Sequence, residues 1–350
     1  MMNKNNKDIV RQEHDAALAM STSPEVFVKI MWEITAERDN AKFMKGKNMS
    51  WQQQDILQAV ADAVRGRGPK KISVCSGNGI GKSSSAAWIL LWYLMCFKNS
   101  VIAATAPSAD QIFDVLWKEA AKWLGTMPPE FASKYEWNMT HIRMVENPYV
   151  WFARAKTGRK ESAEALSGLH GEHVLLIADE SSGIADEIFE MAEGSLTEEK
   201  TLVLLLSNPT RLNGYFYETF NNKKIAHQWK TLKFSSLDSP MVNAVEFAAG
   251  YEARFGKDSD EYRVHVLGEF PNANDLDKRG YISMFGQADL RTGPDVAGFI
   301  DPVMGIDPSA EGENQTIWVV RDKFKAKVVG KEDISSPRSI AMKTSTLKRH

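Results

Sequence analysis

Eleven residues, CSGNGIGKSSS at 75–85, restrict this chain more than any other stretch of it. Glycines stand at 77, 79 and 81 and are followed directly by Lys82 and Ser83. The stretch lies between an apolar run, Ile72 to Cys75, and a helical pattern that opens near Ser83. A strand, a bare loop and a helix in that order turn successive backbone N–H groups around one point at a helix N-terminus, and such a point holds phosphate. Lys82 would bring a mobile positive charge to the β and γ phosphates, and Ser83 a hydroxyl to Mg²⁺. The candidate nucleotide-binding residues are therefore Ser76, Gly77, Asn78, Gly79, Ile80, Gly81, Lys82, Ser83 and Ser84. One departure is visible: Ser76 stands where the usual pattern opens with glycine, and Gly77 comes next.

Short apolar runs alternate with helical patterns from Ile72 onward: KISVCS, then 83–97; SVIAATA, then 109–124; HVLLIADE, then 184–196; and finally TLVLLLSNP. Strands that are buried on both faces and joined by crossover helices produce continuous runs of this kind. The fold class expected is α/β, with a mainly parallel central sheet flanked by helices. Residues 1–48 are polar and mostly helical in pattern, with Ser23 placed to cap a helix that has Pro24 at its first position. Residues 49–290 read as the sheet domain, which includes a more polar lid or connecting subdomain from about 221. A linker, RTGPDVAG, precedes three further β patterns within 299–350: VMGIDPS, QTIWVVRD and KAKVVGKED.

Hydrolysis needs more than a phosphate loop. In HVLLIADESS, four apolar residues carry Asp179 and Glu180 to the C-terminal end of a buried strand, where open α/β sheets bind ligands. Asp179 is the candidate for the Mg²⁺ shell, and Glu180 for orienting or deprotonating the attacking water. Ser207 and Asn208 end another apolar run, in LLLSNPTR, and are candidates for sensing the γ phosphate and passing on its presence. Upstream, SWQQQDIL opens a helix on which Gln54, or equally Gln53, offers a donor and an acceptor to an adenine edge.

A formal net charge of -2 over 350 residues gives no global positive field, so any contact with nucleic acid must use locally gathered cations. Two cysteines make neither a disulfide framework nor a zinc cluster, and the first fifteen residues contain no apolar leader. A cytoplasmic protein is expected. The most apolar stretch, 86–97, is well short of the roughly 20 residues that span a bilayer.

Taken in order, WQQQDIL, SGNGIGKS, VIAATAPSADQIFDVLW, LSGLHGEHVLLIADESSGI, LLLSNPTR, YRVHVLGEFP and MGIDPSAEGEN resemble the large subunit of the DNA-packaging terminase of tailed bacteriophages. The resemblance runs from Trp51 to Asn314. It implies a P-loop ATPase, encoded by a phage or prophage and acting in the bacterial cytoplasm. Such an ATPase uses ATP and Mg²⁺ to pump double-stranded DNA into a procapsid, and its partners are a small terminase subunit, the portal protein and further copies of itself in a ring. It also implies an arginine that neutralises charge in the transition state, for which Arg154 and Arg159 in WFARAKTGRKESAEALSG are the candidates; a DNA phosphate contact is an equal reading of that cluster.

The family joins this motor to a C-terminal nuclease with an RNase H-like fold, whose acids hold two Mg²⁺ or Mn²⁺ ions. Asp307, in GIDPS, matches the first of them. Asp322, Glu332 and Asp333 do not match the later ones, so the nuclease half is expected to be truncated and inactive in this chain. Two rival readings remain. A helicase-like ATPase would need a second domain of its own kind, for which 230–350 offers neither length nor pattern. A prophage remnant would bind nucleotide or terminase partners without turnover.

Overall fold

The structure, a computed structural model, describes residues 15–158, 170–195, 200–272, 303–307, 316–321 and 326–332. Its contacts divide into two compact units, 1–286 and 287–350.

In the first unit, residues 15–22 are helical and lead to α1 (Pro24–Trp32). Ser23 caps α1 by accepting the Val26 N–H at 3.4 Å, and Pro24 occupies its first turn. Two-residue strands Thr35–Ala36 and Asn48–Met49 then pair in parallel, so the stretch before residue 49 is less helical than its polar pattern suggests. A reciprocal capping box opens α2 (Trp51–Val64): Gln53 N donates to Ser50 Oγ, and Ser50 N to Gln53 Oε1. Both orphan amides are satisfied, which fixes where the helix starts.

The chain continues through β1 (Lys71–Ser76), α3 (Lys82–Cys96), β2 (Ser100–Ala106), a π-helical turn (Gln111–Trp117) and α4 (Lys118–Gly125). Next come β3 (Tyr135–Trp137), β4 (His141–Met144), β5 (Phe152–Thr157), β6 (His173–Asp179), α5 (Asp186–Ser195) and β7 (Thr201–Ser207). The unit closes with α6 (Tyr215–Asn221), β8 (Trp229–Phe234), α7 (Ala244–Phe255) and a π-helical turn (Arg263–Leu267).

Eight strands form one sheet in the order β8-β1-β7-β6-β2-β5-β4-β3, and every neighbour pair from β8 to β5 is parallel. Only β4 runs antiparallel, between β5 and β3. The expected parallel α/β sheet is therefore present, with edges that the apolar runs did not reveal. The polar stretch from 221 onward, read as a lid or connecting subdomain, supplies β8, whose six pairs with β1 extend from Trp229↔Lys71 to Phe234↔Ser76. Only its ends, Trp229 and Phe234, are buried, as suits a strand at the edge of the sheet.

Helix α3 is apolar all round because it is buried all round, with Ala86 to Leu94 inaccessible to solvent or nearly so. Indole and phenol groups bond the backbone around it: Trp92 Nε1 to Met20 O at 2.8 Å, Tyr135 OH to Leu91 O at 3.0 Å, and Trp151 Nε1 to Leu94 O at 2.6 Å. One core packs α1 to α4 on this face of the sheet, and a second, smaller core packs Ile184, Ile188, Phe189 and Phe216 against the other face of β1, β7, β6 and β2. Among the described residues no helix is long and apolar enough to cross a membrane.

In the second unit β9 (Val303–Asp307), β10 (Thr316–Arg321) and β11 (Ala326–Glu332) form an antiparallel meander with a register shift between Trp318 and Val319. These are the three strands expected there. The linker at 291–298 lies outside the described residues.

Candidate functional site

Parallel strands end together, so their C-terminal tips form one ledge. Register sets Ser207 beside Cys75, Phe234 beside Ser76, and Leu206 beside Asp179. Because β7 lies between β1 and β6, its tip separates the glycine loop from the two acids.

Gly79 and Gly81 adopt φ 79° and 87°, left-handed values that only glycine takes without strain, and Gly81 is the N-cap of α3. Ser85 N is bonded to Gly81 O at 3.0 Å, so the amides of the preceding turn face the cleft without a helical acceptor. Lys82 Nζ, almost fully buried, donates to Ser76 Oγ at 3.1 Å and Gly77 O at 3.4 Å. The loop's first amides are used otherwise. Gly77 N donates to Phe234 O at 3.0 Å and Asn78 N to His265 O at 2.8 Å, so these two N–H groups brace the loop.

Asp179 is buried at the tip of β6, and Glu180 follows with φ 48°, a left-handed conformation for a residue with a Cβ. Such a backbone costs on the order of 1–3 kcal/mol and persists where its surroundings impose it. Burial, and then the neighbouring Glu180 charge, push the Asp179 carboxyl up to about 7; Lys82 and the Glu180 N–H oppose this. Ser207 Oγ accepts Ser182 N–H at 3.0 Å and has one proton to direct at Asn208 O, 2.7 Å away, or Glu180 Oε2, 3.4 Å away. Asn208 Nδ2 donates to Ser76 O at 2.6 Å. The β7 tip thus touches the loop through Asn208 and the acid through Ser207.

These groups open on a cleft of about 850 Å³, a volume within the range that accommodates a nucleotide. The cleft is lined by the loop from Asn78 to Ser84, by Glu180 and Asn208, and by Lys118, Glu119, Lys122 and Met241. Burial works to raise the Glu119 carboxyl, but the bonds it accepts from Ser84 Oγ at 2.6 Å and Trp123 Nε1 at 2.7 Å, together with Lys122, outweigh this and keep it below its usual range.

Of the two glutamines, Gln53 reaches the loop: its Nε2 lies 3.4 Å from Gly81 O. Gln54 accepts from Arg38 Nη1 at 2.8 Å and donates to Glu25 at 3.4 Å. Arg154 lies within β5, paired with Ala103 and His141, three residues before the end of the strand. Arg159 lies outside the described residues. Asp307 is the last residue of β9, opposite Ile317 of β10.

A brace around the loop went unread in the sequence. Ser236 Oγ donates to Asn78 O at 2.7 Å, and Asn78 Nδ2 lies 3.4 Å from Tyr251 OH. Gly268, at φ 67°, fits where a Cβ would overlap Phe234 O and meet Gly77 N at 2.5 Å. The only sequence signal is a glycine after a helical pattern, which reads as an ordinary helix end. Gly268→Ala is expected to destabilise the first unit by about 2–5 kcal/mol, the sum of a left-handed alanine and an overpacked contact. Thermal unfolding checks this: an unchanged midpoint would show that the brace yields.

A parallel sheet with a glycine-lysine loop after its β1 strand and acids at the tip of β6 defines the P-loop NTPase fold. No protein-family model matches the chain. Its sequence is 30% identical over 248 residues to a protein of Enterobacteria phage P7 named "Probable terminase, large subunit", an alignment covering 67% of this chain and 48% of that protein. Among solved structures, the large terminase of a thermophilic bacteriophage aligns with a TM-score of 0.52 at 12% identity, over 85% of this chain and 72% of that one. The same terminase in complex with ADP aligns with a TM-score of 0.51 at 13% identity, over 85% and 73%. The chain is a relative of the phage terminase large subunits, and it spans about half the length of the curated relative it matches.

Proposed function

We propose that this chain is the ATP-hydrolysing motor subunit of a DNA-packaging terminase, translocating double-stranded DNA into a procapsid. The observation that carries the reading is the single ledge on which β7 joins the Lys82 loop to Asp179 and Glu180. A helicase-like ATPase shares this ledge, but the sequence relationship is to a terminase.

Lys82 and the amides from Gly79 to Ser84 bind the phosphates, Glu180 orients and deprotonates the attacking water, and Gln53 or Gln54 reads the base. The donor set suits Mg²⁺: a hydroxyl at Ser83, and at Asp179 a buried carboxyl whose ionisation a nearby cation would favour. Bound Mg²⁺ would neutralise charge between phosphate oxygens, held by Ser83 and Asp179. Arg154 and Arg159 are the candidates for the transition-state arginine, from the same subunit or a ring neighbour. Asp307 would serve a nuclease site in the second unit, where one aspartate does not balance two divalent cations. The partners are double-stranded DNA, the small terminase subunit, the portal protein and further copies of this chain; the setting is the host cytoplasm.

The test is ATP hydrolysis by the purified chain with and without duplex DNA. Turnover that duplex DNA accelerates supports the motor; nucleotide binding without turnover in either condition favours a remnant. Asn208→Ala probes the coupling, since it removes the 2.6 Å bond to Ser76. Basal turnover should fall less than about tenfold, in line with the ~1 kcal/mol of one neutral hydrogen bond, while acceleration by DNA is lost. A loss of basal turnover as deep as that of Lys82→Ala would instead place Asn208 in the chemistry.

A further inference from the structure

Three lysines line the nucleotide cleft: Lys82 in the loop, and Lys118 and Lys122 on α4. Two of them are engaged within the fold. Lys82 bonds Ser76 and Gly77, and Lys122 pairs with Glu119 at 3.2 Å and lies over the Trp123 ring, 4.9 Å from its centroid. Lys118 is exposed and has no hydrogen bond, ion pair or ring contact among the described residues. Asp114 stands four residues earlier but forms no ion pair with it, and an exposed pair of that kind would be too weak to withhold the lysine from a stronger partner. The chain enters α4 through a π-helical turn, a form found frequently at functional sites.

Helix α4 is fastened to the phosphate loop. Ser84 Oγ and Trp123 Nε1 both donate to Glu119 Oε1, at 2.6 Å and 2.7 Å. Lys118 is the chain neighbour of Glu119, so their Cα atoms stand about 3.8 Å apart, and its four-carbon stem is flexible. That brings its ammonium within reach of phosphates held at Ser83 and Ser84. The charges of the cleft give the reach a consequence: three lysines are set against three acids, Asp114, Glu119 and Glu180. Without Lys118, a polyanion would enter a cleft whose own acids outnumber its cations.

We propose that Lys118 is a second phosphate-binding cation of this cleft, contacting the triphosphate of the bound nucleotide from α4. This rests on the ATP-binding reading of the loop. The unbonded stem defines the kind of contact. Nothing holds the ammonium in one position, so it is not preorganised for charge that develops only during the reaction. It meets charge already present on the bound nucleotide, and the contact is equal in the ground state and the transition state. Lys118 therefore sets the affinity for ATP and leaves transition-state neutralisation to another cation.

The experiment uses the full chain with Lys118→Gln and, separately, Lys118→Arg; both replacements are good helix formers, so α4 stays intact. Affinities for MgATP and for inorganic triphosphate are read by competition against a fluorescent ATP analogue, beside initial rates of ATP hydrolysis. In Lys118→Gln both affinities should fall about tenfold, the scale of one hydrogen bond to a charged group. KM for ATP should rise by as much, with kcat within about twofold of wild type and the melting temperature unchanged. Lys118→Arg keeps the charge and should restore both affinities to within about threefold. Unchanged affinities in Lys118→Gln overturn the proposal, and so does a fall in kcat at constant KM. Weaker binding of ATP but not of triphosphate places the lysine away from the phosphates, and failure of Lys118→Arg to restore binding shows that charge is not the cause; either result also overturns it. A chain without turnover leaves the affinities to decide. A wild-type chain that binds neither MgATP nor triphosphate overturns the nucleotide reading itself, and Lys118 falls with it.

Discussion

Lys82→Ala should reduce ATP turnover by about 10²- to 10³-fold or to background, the scale on which one preorganised donor to a developing anion acts. The lysine's present partners, Ser76 Oγ at 3.1 Å and Gly77 O at 3.4 Å, are neutral and at long hydrogen-bond distance. Phosphate oxygens displace such partners readily, because charge-assisted bonds are roughly twice as strong. The substitution acts a second time through Asp179, since the Lys82 charge opposes protonation of that carboxyl. Nucleotide affinity should weaken together with turnover, while the fold holds: the ammonium bonds only two loop oxygens. Turnover measured beside a thermal melt checks both claims, and wild-type turnover in a folded variant would remove the loop from the site.

Glu180→Gln separates binding from chemistry. The amide keeps the size of the side chain and its contact with Ser207, 3.4 Å away, but it cannot take a proton from water. Turnover should fall by about 10²- to 10⁴-fold, the range for loss of a positioned base, with nucleotide affinity retained. Removing the charge next to Asp179 also relieves one of the two causes that raise that carboxyl, so the affinity should not drop. Equilibrium binding of a fluorescent ATP analogue distinguishes the outcomes. Loss of binding and turnover together would make Glu180 structural, which its left-handed backbone, φ 48°, makes a fair challenge.

The central strands were readable because burial on both faces leaves no choice of residue: KISVCS and SVIAATA are β1 and β2 residue for residue, and HVLLIADE and TLVLLLSNP overrun β6 and β7 by one residue and two. The loop and the acids were readable for a related reason, since phosphate chemistry admits few residue types at fixed spacing. Edge strands carry no such demand. FARAKT and WKTLKF are half polar, and their pairing with β2 and β1 is decided by neighbours far away in the chain. Gln53 differs from Gln54 only in the direction of a side chain around a helix, and the capping box that turns Gln53 inward was legible as Ser50 followed three residues later by glutamine. The brace at His265 and Gly268 consists of backbone carbonyls and a missing Cβ, features that leave almost no signature in a sequence.

That brace also sets an order of assembly. Cys75 Sγ lies 3.1 Å from Gly268 O, a contact between residues 193 positions apart. The strand, loop and helix that bind phosphate are contiguous, yet the Asn78 amide finds its acceptor only in His265. At about 5–20 residues per second, a ribosome needs about 10–40 s to travel from one to the other. A nascent chain therefore displays its glycine loop long before it can hold that loop in shape, and competence for nucleotide arrives in one late step as the last turn of the unit closes over the first.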